Sequence, residues 1–224
     1  MVRVMGVDAA GPRWVGVTSD QRVYADHSIE ELMALADADG VLDVVAIDIP
    51  IGLPDAGRRL ADVLAGSAVG PLRASVFTTP PRSVLQAESY AEAIELSQHS
   101  SGKGVSRQSW ALGPKILEVD DVVHRSTRTI VEFHPEVSFA TLAGRPLTTR
   151  KKTWAGQEER RALLAGAGIV VPADVGRAGL LVGPDDVLDA AVGSWSAQRY
   201  ADGVSVSFPP EPEQLDGIAV AIHA

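Results

Sequence analysis

Two short hydrophobic runs in the sequence end in the same way. Residues 2–7 lead into Asp8, and residues 44–47 lead into Asp48. Glycine or proline follows each aspartate within a few positions, and these residues commonly end a strand. Short apolar runs bounded in this way are typical of buried β-strands. The pattern therefore predicts two buried strands, each of which ends in a carboxylate.

The segment between these runs predicts an antiparallel meander and a crossover helix. Residues 14–20 and 22–28 have strand character and are separated by a tight turn. A helix is expected to begin at Ser28, with Glu31 at the capping-box spacing, and to end near Gly40. A strand that follows such a helix returns parallel to an earlier one. The strand before Asp48 is therefore expected to lie parallel to the first strand.

This strand order has a chemical consequence. Open α/β sheets bind ligands at the carboxyl ends of their parallel strands. If the first and fourth strands are neighbours, Asp8 and Asp48 emerge at the same edge. We expect the two carboxylates to converge there.

The rest of the chain predicts a helical insertion, a fifth strand and an end that packs loosely. We expect one domain, residues 1–224, with an insertion at about 53–128 that contains helices at about 84–98 and 114–125. Residues 128–136, "RTIVEFHPE", return to strand character. Three prolines after Asp202 predict a loosely packed end.

A long helix is predicted after Gly183, because Pro184 is suited to a first helical position. Asp186 and Asp189 lie three residues apart and share one stripe of this helix. An aspartate in the first turn also stabilises a helix through its dipole, which accounts for Asp186 better than for Asp189. The face expected to pack on the sheet contains Val187, Leu188, Ala191, Val192 and Trp195.

Composition excludes several classes of protein. The 224 residues are 46% hydrophobic, which is enough for a large core, and they include no cysteine. Disulfides, thiolate catalysis and cysteine-containing zinc sites are therefore excluded. No apolar run reaches membrane-spanning length or has the shape of a signal peptide, so we expect a soluble, cytoplasmic protein. A net charge of −9 argues against broad, non-specific adhesion to nucleic acid.

Four aspartates, Asp8, Asp48, Asp186 and Asp189, are candidates for one metal site. Carboxylate oxygens in this number suit Mg²⁺ or Mn²⁺, and two such ions ~4 Å apart stabilise both sides of a phosphoryl displacement. The alternative is that each aspartate is an ordinary turn or cap residue.

Basic residues are concentrated between positions 145 and 161, where six of them accompany two glutamates. Lys151 and Lys152 are candidate phosphate contacts. The alternative is that they are the solvated end of a loop before a helix.

Seven segments between residues 4 and 200 occur together in one known family: "GVDAAGPRWVGV", "IDIPIGLP", "SVFTTPPR", "WALGPKILEVD", "EFHPEVSF", "KKTWAGQEERRALL" and "DDVLDA". They resemble domain of unknown function 429, whose members are described as predicted RNase H-like nucleases. The strand ending in Asp48 and the helix start at Asp186 also resemble Holliday-junction resolvases. The resemblance implies an α/β, RNase H-like fold: a mixed five-stranded sheet, with three antiparallel strands and then parallel ones, flanked by helices.

The same resemblance implies roles for the acids. The four aspartates would hold Mg²⁺ or Mn²⁺, and Glu132 and Glu136 would be further catalytic candidates. His134 is expected to be a structural histidine, with general acid or base chemistry as the alternative if its ring lies near the acids.

The segment "SVFTTPPR" and the arginine before it offer groups that suit phosphate or carboxylate. The candidate substrate contacts are Arg73, Thr78, Thr79 and Arg82. Alternatively, the segment is a stiff turn whose hydroxyls satisfy their own backbone.

Three functions remain open from the sequence. The first is a divalent-metal-dependent nuclease that acts on nucleic acid by a metal-activated water. The second is a sugar kinase or ATPase of the same fold, which needs two such domains and would therefore act as a homodimer. The third is a non-catalytic scaffold that binds a protein partner. Acids that are scattered or paired with arginines would favour the scaffold.

Overall fold

A mixed sheet of seven strands forms the centre of the computed structural model, which describes residues 2–224. The strands are β1 (Val4–Ala10), β2 (Arg13–Thr18), β3 (Val23–Asp26), β4 (Val44–Ile47), β5 (Thr129–Phe133), β6 (Ser207–Leu215) and β7 (Ile218–His223). Their order across the sheet is β3-β2-β1-β4-β5-β7-β6. Neighbours β1, β4, β5 and β7 run parallel, and the other pairs are antiparallel.

Nine α-helices accompany the sheet in the described part of the chain. They are α1 (Ile29–Asp37), α2 (Leu60–Ala68), α3 (Arg82–Leu85), α4 (Tyr90–Ser101), α5 (Arg107–Ala111), α6 (Gly113–Arg125), α7 (Pro135–Ala143), α8 (Trp154–Gly166) and α9 (Pro184–Ala201). Two 3₁₀ helices span Gly70–Ser75 and Gly176–Leu180. Among residues 2–224, no helix is both long and apolar enough to cross a membrane.

The predicted meander and crossover are confirmed. β1, β2 and β3 pair antiparallel, and β4 returns parallel to β1 after α1. The Ser28 side chain caps α1 by accepting a hydrogen bond from the Glu31 amide, as the spacing predicts. Five of the six helices α1 to α6 lie between β4 and β5, in the segment expected to be an insertion.

The prediction of five strands is wrong, because β6 and β7 extend the sheet beyond β5. The end of the chain was expected to pack loosely, but Val220, Ala221 and Ile222 are buried. The prolines of β6 are compatible with a strand because β6 lies at the edge of the sheet, where one side needs no hydrogen-bond donors.

Alternation along β1 assigns its side chains to two separate cores. Val4 belongs to the core under α7, α8 and α9, whereas Met5 and Val7 belong to the core under α1 and α6. Successive side chains of a strand point to opposite faces. Gly6 and Asp8 therefore lie on the α9 face, together with Val4.

Helix α9 packs on β1 through residues without bulky side chains. A Cβ at Gly6 would lie 2.1 Å from the Ser194 nitrogen and 2.2 Å from the Ala190 oxygen. The face nearest β1 is therefore the stripe of Ala190, Gly193 and Ser194, and not the predicted face of larger residues. Of those larger residues, Val187, Leu188, Ala191 and Val192 are buried too and Trp195 is partly buried, because α7 and α8 cover the other sides of α9.

Candidate metal centre

Asp8 and Asp48 are neighbours at the carboxyl end of β4. Val7 of β1 is paired with Ile47 of β4, and the Asp48 amide donates to the Val7 carbonyl at 2.9 Å. The next residue of each strand is the aspartate. Because the pairing is parallel and in register, both carboxylates leave the same edge on the same face.

Helix α9 brings Asp189 and Asp186 to this edge. Asp189 is fully buried, and it lies one turn before Gly193, where α9 approaches β1 most closely. Asp186 is half-buried, and its Oδ2 accepts a hydrogen bond from the Gly183 amide at 3.2 Å. Helix capping therefore explains an aspartate at position 186. It does not explain the aspartate at position 189.

A cleft of about 300 Å³ opens where these elements meet. All four aspartates line it. The other charged or titratable residues of its wall are Arg59, Asp62, Glu132, His134, Glu136 and Lys151. The acids predicted from distant parts of the chain are therefore neither scattered nor individually exposed.

Burial shifts the titration of the aspartates strongly. Burial, and then the charge of Asp48, raise the pKa of Asp8 well above its usual value. Burial and the charge of Asp189 raise the pKa of Asp48 to about 7. Burial and the charge of Asp8 raise the pKa of Asp189 to about 8. Each acid disfavours ionisation of its neighbours, so the cluster is poised to take up positive charge.

Lys151 supplies positive charge to this cluster. Its ammonium group donates to Asp189 Oδ2, and its charge opposes the rise in the pKa of Asp8, Asp48 and Asp186. The residue lies in the turn before α8, and its side chain lines the cleft.

The chemistry of the site fits a divalent cation. Asp189 Oδ1 is buried and has no hydrogen-bond partner within residues 2–224, so one oxygen of a buried carboxylate is free to bind a ligand. Oxygen donors from several carboxylates are what Mg²⁺ and Mn²⁺ prefer. Within the described chain, however, no three of the four aspartates have ligand atoms that all lie within 4.8 Å of one another. The acids face one cleft but are not drawn together as they would be around a bound ion.

A second group does meet that distance, among the residues described. It consists of Asp120, His124 and Asp216, outside the cleft. Arg82 already donates to both carboxylates, at 2.5 Å to Asp216 Oδ2 and 3.1 Å to Asp120 Oδ1. Since a guanidinium group already binds both acids, the group has the character of an ion-pair network.

Glu132 lies beside the cleft but is paired with an arginine. Its oxygens accept from Arg59 at 2.7 and 2.8 Å and from the Ile51 amide at 2.7 Å. Arg59 also donates to Asp62 at 3.0 Å. Glu132 is paired in register with Ile47, whose side chain belongs to the core on the side of the sheet opposite α9. It therefore points away from the face that bears Asp8.

Glu136 is likewise held by an arginine. Both of its oxygens accept from Arg160 at 2.7 Å, and Arg160 is fully buried. Arg160 also donates to the Thr149 carbonyl, which lies at the start of the turn that presents Lys151. The ion pair between Arg160 and Glu136 therefore stabilises this turn.

His134 caps the helix that follows β5. Its Nδ1 accepts from the Glu136 amide at 3.2 Å, and its Nε2 lies 3.3 Å from the Ser75 carbonyl. Burial lowers the pKa of His134. These contacts fit the structural role expected for it, although its ring also lines the cleft.

The predicted substrate contacts are dispersed. Thr79 is buried and donates through its amide to Asp62 at 2.8 Å, and Arg82 is engaged with Asp120 and Asp216. Arg73 and Thr78 are exposed but do not line the cleft. Of the six predicted contacts, Lys151 lies in the cleft, and Lys152 is near enough to Asp186 to oppose the rise in its pKa.

Arg59 and Asp62 were not singled out in the sequence. Both are buried and line the cleft, where they connect Glu132 to Thr79. A signal exists in their spacing, since charged residues three apart at a helix start can pair. Glu132, the partner of Arg59 on β5, lies 73 positions away, so no local sequence pattern predicts this pair.

One family model, described as Protein of unknown function (DUF429), matches residues 6–214. The chain belongs to this family. All four aspartates of the cleft lie within the matched residues. No curated protein matches the sequence.

Two solved structures resemble this chain only distantly. The chain is similar to T. thermophilus RuvC in complex with Holliday junction substrate, with 13% identity, coverage of 91% of this chain and 98% of that chain, and a TM-score of 0.37. It is also similar to Thermus thermophilus RuvC, with 14% identity, the same coverage and a TM-score of 0.34.

Proposed function

We propose that this protein is a divalent-metal-dependent nuclease with an RNase H-like core, which hydrolyses phosphodiester bonds of nucleic acid with Mg²⁺ or Mn²⁺. One observation carries the proposal: carboxylates from β1, β4 and α9 line a single cleft, and the most buried of them, Asp189, has an oxygen with no partner in the described chain. We further propose that the protein works in the cytoplasm as one domain, residues 1–224, with the helices of 53–128 as an insertion.

Asp8, Asp48, Asp186 and Asp189 would hold the metal. A divalent ion bound by such acids supplies a Lewis acid and an activated water at neutral pH. The chain's own contribution is to desolvate the acids and to fix their backbones: Asp8 lies in β1, Asp48 directly follows β4, and Asp186 and Asp189 lie in α9. Rigid placement favours catalysis because little reorganisation is then needed when charge develops.

Lys151 and Lys152 would contact the phosphate. Lys151 reaches into the cleft beside Asp189, and Lys152 is exposed near Asp186. Glu132 and Glu136 are left out of the metal site in this proposal, because arginines already occupy their oxygens. Arg73, Thr78, Thr79 and Arg82 are left out for the reasons of position and pairing given above.

The proposal is tested by a cleavage assay with labelled four-way junction DNA, single-stranded DNA, single-stranded RNA and an RNA–DNA hybrid. We expect cleavage of at least one substrate with Mg²⁺ or Mn²⁺ and none with EDTA. An ATP hydrolysis arm, with and without a panel of sugars, separates a nuclease from a kinase or ATPase.

The assay compares the test variant Asp8→Asn with a matched control, Asp55→Asn. Asp8 lines the cleft, whereas Asp55 is exposed. Cleavage that is lost in the first variant and kept in the second supports the proposal. Cleavage that persists in Asp8→Asn, or ATP hydrolysis without cleavage of any nucleic acid, would overturn it.

A further inference from the structure

The ion pair between Lys151 and Asp189 differs from the other buried ion pairs around the cleft. Arg59 and Arg160 are buried, with relative exposures of 1% and 0%, and each donates to both oxygens of a glutamate. Both arginines also donate to backbone carbonyls. Such multiple contacts are what a permanent structural pair requires to offset desolvation.

Lys151 lacks these features. It contacts one oxygen of Asp189 and leaves Oδ1 of that carboxylate without a partner in residues 2–224. About a third of its side chain, 34%, is exposed, although the Asp189 side chain is 0% exposed. An unmade buried hydrogen bond is costly, so the unpartnered Oδ1 makes this ion pair less favourable than one in which both carboxylate oxygens are bound.

The backbone that bears Lys151 is nevertheless fixed. The Thr153 amide donates to the Arg150 carbonyl at 3.0 Å, and Arg160 donates to the Thr149 carbonyl at 3.2 Å. A Cβ at Gly156 would lie 2.0 Å from the Arg150 oxygen, so α8 begins directly against this turn. Any motion of the ammonium group must therefore come from the flexible four-carbon side chain.

The cluster around Lys151 needs more positive charge than one ammonium group provides. Four carboxylates line the cleft that it enters, and the side chains of Asp8 and Asp189 are buried. A divalent cation carries twice the charge and accepts several oxygens at once. The lysine and the ion would compete for the same carboxylate, because Asp189 Oδ2 is the atom that Lys151 contacts.

We propose that Lys151 is an exchangeable counter-ion: it pairs with Asp189 in the metal-free protein, and a divalent cation displaces it from Asp189 towards the mouth of the cleft. This inference rests on the proposed metal site and adds a step to it. The displaced ammonium group stays at the cleft because its backbone is fixed, and there it meets a phosphate only after the metal has bound. Loading of the metal and presentation of the lysine are thereby coupled.

The direct test is lysine labelling of the wild-type protein. The chain has four lysines, Lys103, Lys115, Lys151 and Lys152. Reductive methylation with limiting reagent, read by peptide mass spectrometry, reports the accessibility of each amine with and without saturating Mg²⁺. We expect labelling of Lys151 to be slow without metal and to rise severalfold with Mg²⁺. Lys103 is exposed on a loop and is the internal control that should not change.

Calorimetry with Mn²⁺ is a second test. It distinguishes failure of the Lys151 exchange from failure of the metal site. Lys151→Met should bind Mn²⁺ about tenfold more tightly than wild type, because the competing charge is gone, whereas Lys103→Met should not differ. If Mn²⁺ binds but Lys151 labelling is unchanged or falls on addition of Mg²⁺, the lysine is fixed and the exchange is overturned while the metal site stands. If neither wild type nor Lys151→Met takes up Mn²⁺, the metal site itself falls, and the exchange falls with it.

Discussion

Gly193 of α9 lies directly over Gly6 of β1, so closely that a Cβ on Gly193 would come within 3.0 Å of the Gly6 Cα. The same Cβ would lie 2.4 Å from the Phe133 ring. This contact holds α9 against the sheet one turn beyond Asp189. The distance between the helix and the strand therefore sets how close Asp189 can come to Asp8.

Gly6→Ala is expected to destabilise the protein. The new methyl group would meet backbone atoms of α9 at 2.1 to 2.2 Å, which no side-chain rotation relieves. Overpacking of this kind costs about 1–3 kcal/mol in the free energy of unfolding, and a clash with backbone places Gly6→Ala at the upper end. Urea denaturation measures it. Gly166→Ala is the control, because nothing lies near a Cβ there and an exposed helical alanine should be neutral or stabilising. Equal stability of the two variants would show that α9 does not sit tightly on β1.

Asp189→Asn is expected to abolish metal-dependent cleavage and Mn²⁺ uptake without loss of the fold. The substitution removes a buried charge and keeps an oxygen for Lys151. Circular dichroism and urea denaturation without metal should find it at least as stable as wild type, because an unbalanced buried carboxylate is costly. A variant that keeps full activity would remove Asp189 from the site.

The stability of the metal-free protein should fall as pH rises. Burial and neighbouring acids raise the pKa of Asp48 to about 7 and of Asp189 to about 8, from a reference value of 3.8. The folded state thus holds protons that the unfolded state has lost. Their contribution to stability is complete below the reference pKa and disappears as pH rises through 7 to 8.

Urea denaturation at pH 5 and pH 8 in EDTA measures this dependence. Saturating Mg²⁺ should largely remove it, since a bound cation replaces the protons. The double variant Asp48→Asn/Asp189→Asn should also have a flatter profile. A metal-free wild type whose stability increases from pH 5 to pH 8 as steeply as that of the double variant would contradict the assignment.

Glu136→Gln is expected to affect stability and not metal binding. The change leaves the buried guanidinium of Arg160 without its charge partner, which costs about 3 kcal/mol or more. Calorimetry should give an Mn²⁺ affinity close to that of wild type. The opposite pattern, unchanged stability with weakened Mn²⁺ binding, would make Glu136 a metal ligand.

The sequence predicts the convergence of Asp8 and Asp48 because both follow from local patterns. A buried strand, a crossover helix and a parallel return determine register, and register determines which residues become neighbours. The same alternation separates Glu132 from them: it is paired with Ile47, one position before Asp48, and so points to the opposite face. Whether an acid occupies an odd or an even position of its strand decides which face of the sheet it points to. Lying at the same edge of the sheet is not enough to bring the acids together.

Other features depend on contacts that no local pattern encodes. The pairing of β5 with β7 brings the end of the chain into the sheet, and the prolines of β6 hide its strand character. The inward direction of Lys151 depends on the turn that Arg160 and Glu136 brace from two other helices. The close side of α9 is a stripe of small residues because contact with a glycine on β1 outweighs the usual preference for a large apolar face.

The central claim is that the four aspartates hold a divalent cation in one cleft, and anomalous diffraction from crystals grown with Mn²⁺ tests it most directly. The account predicts an anomalous peak among the carboxylates of Asp8, Asp48, Asp186 and Asp189, with the Lys151 ammonium group withdrawn from Asp189. The cleft lacks this function if such crystals give no peak there, or if the only peak lies at Asp120, His124 and Asp216.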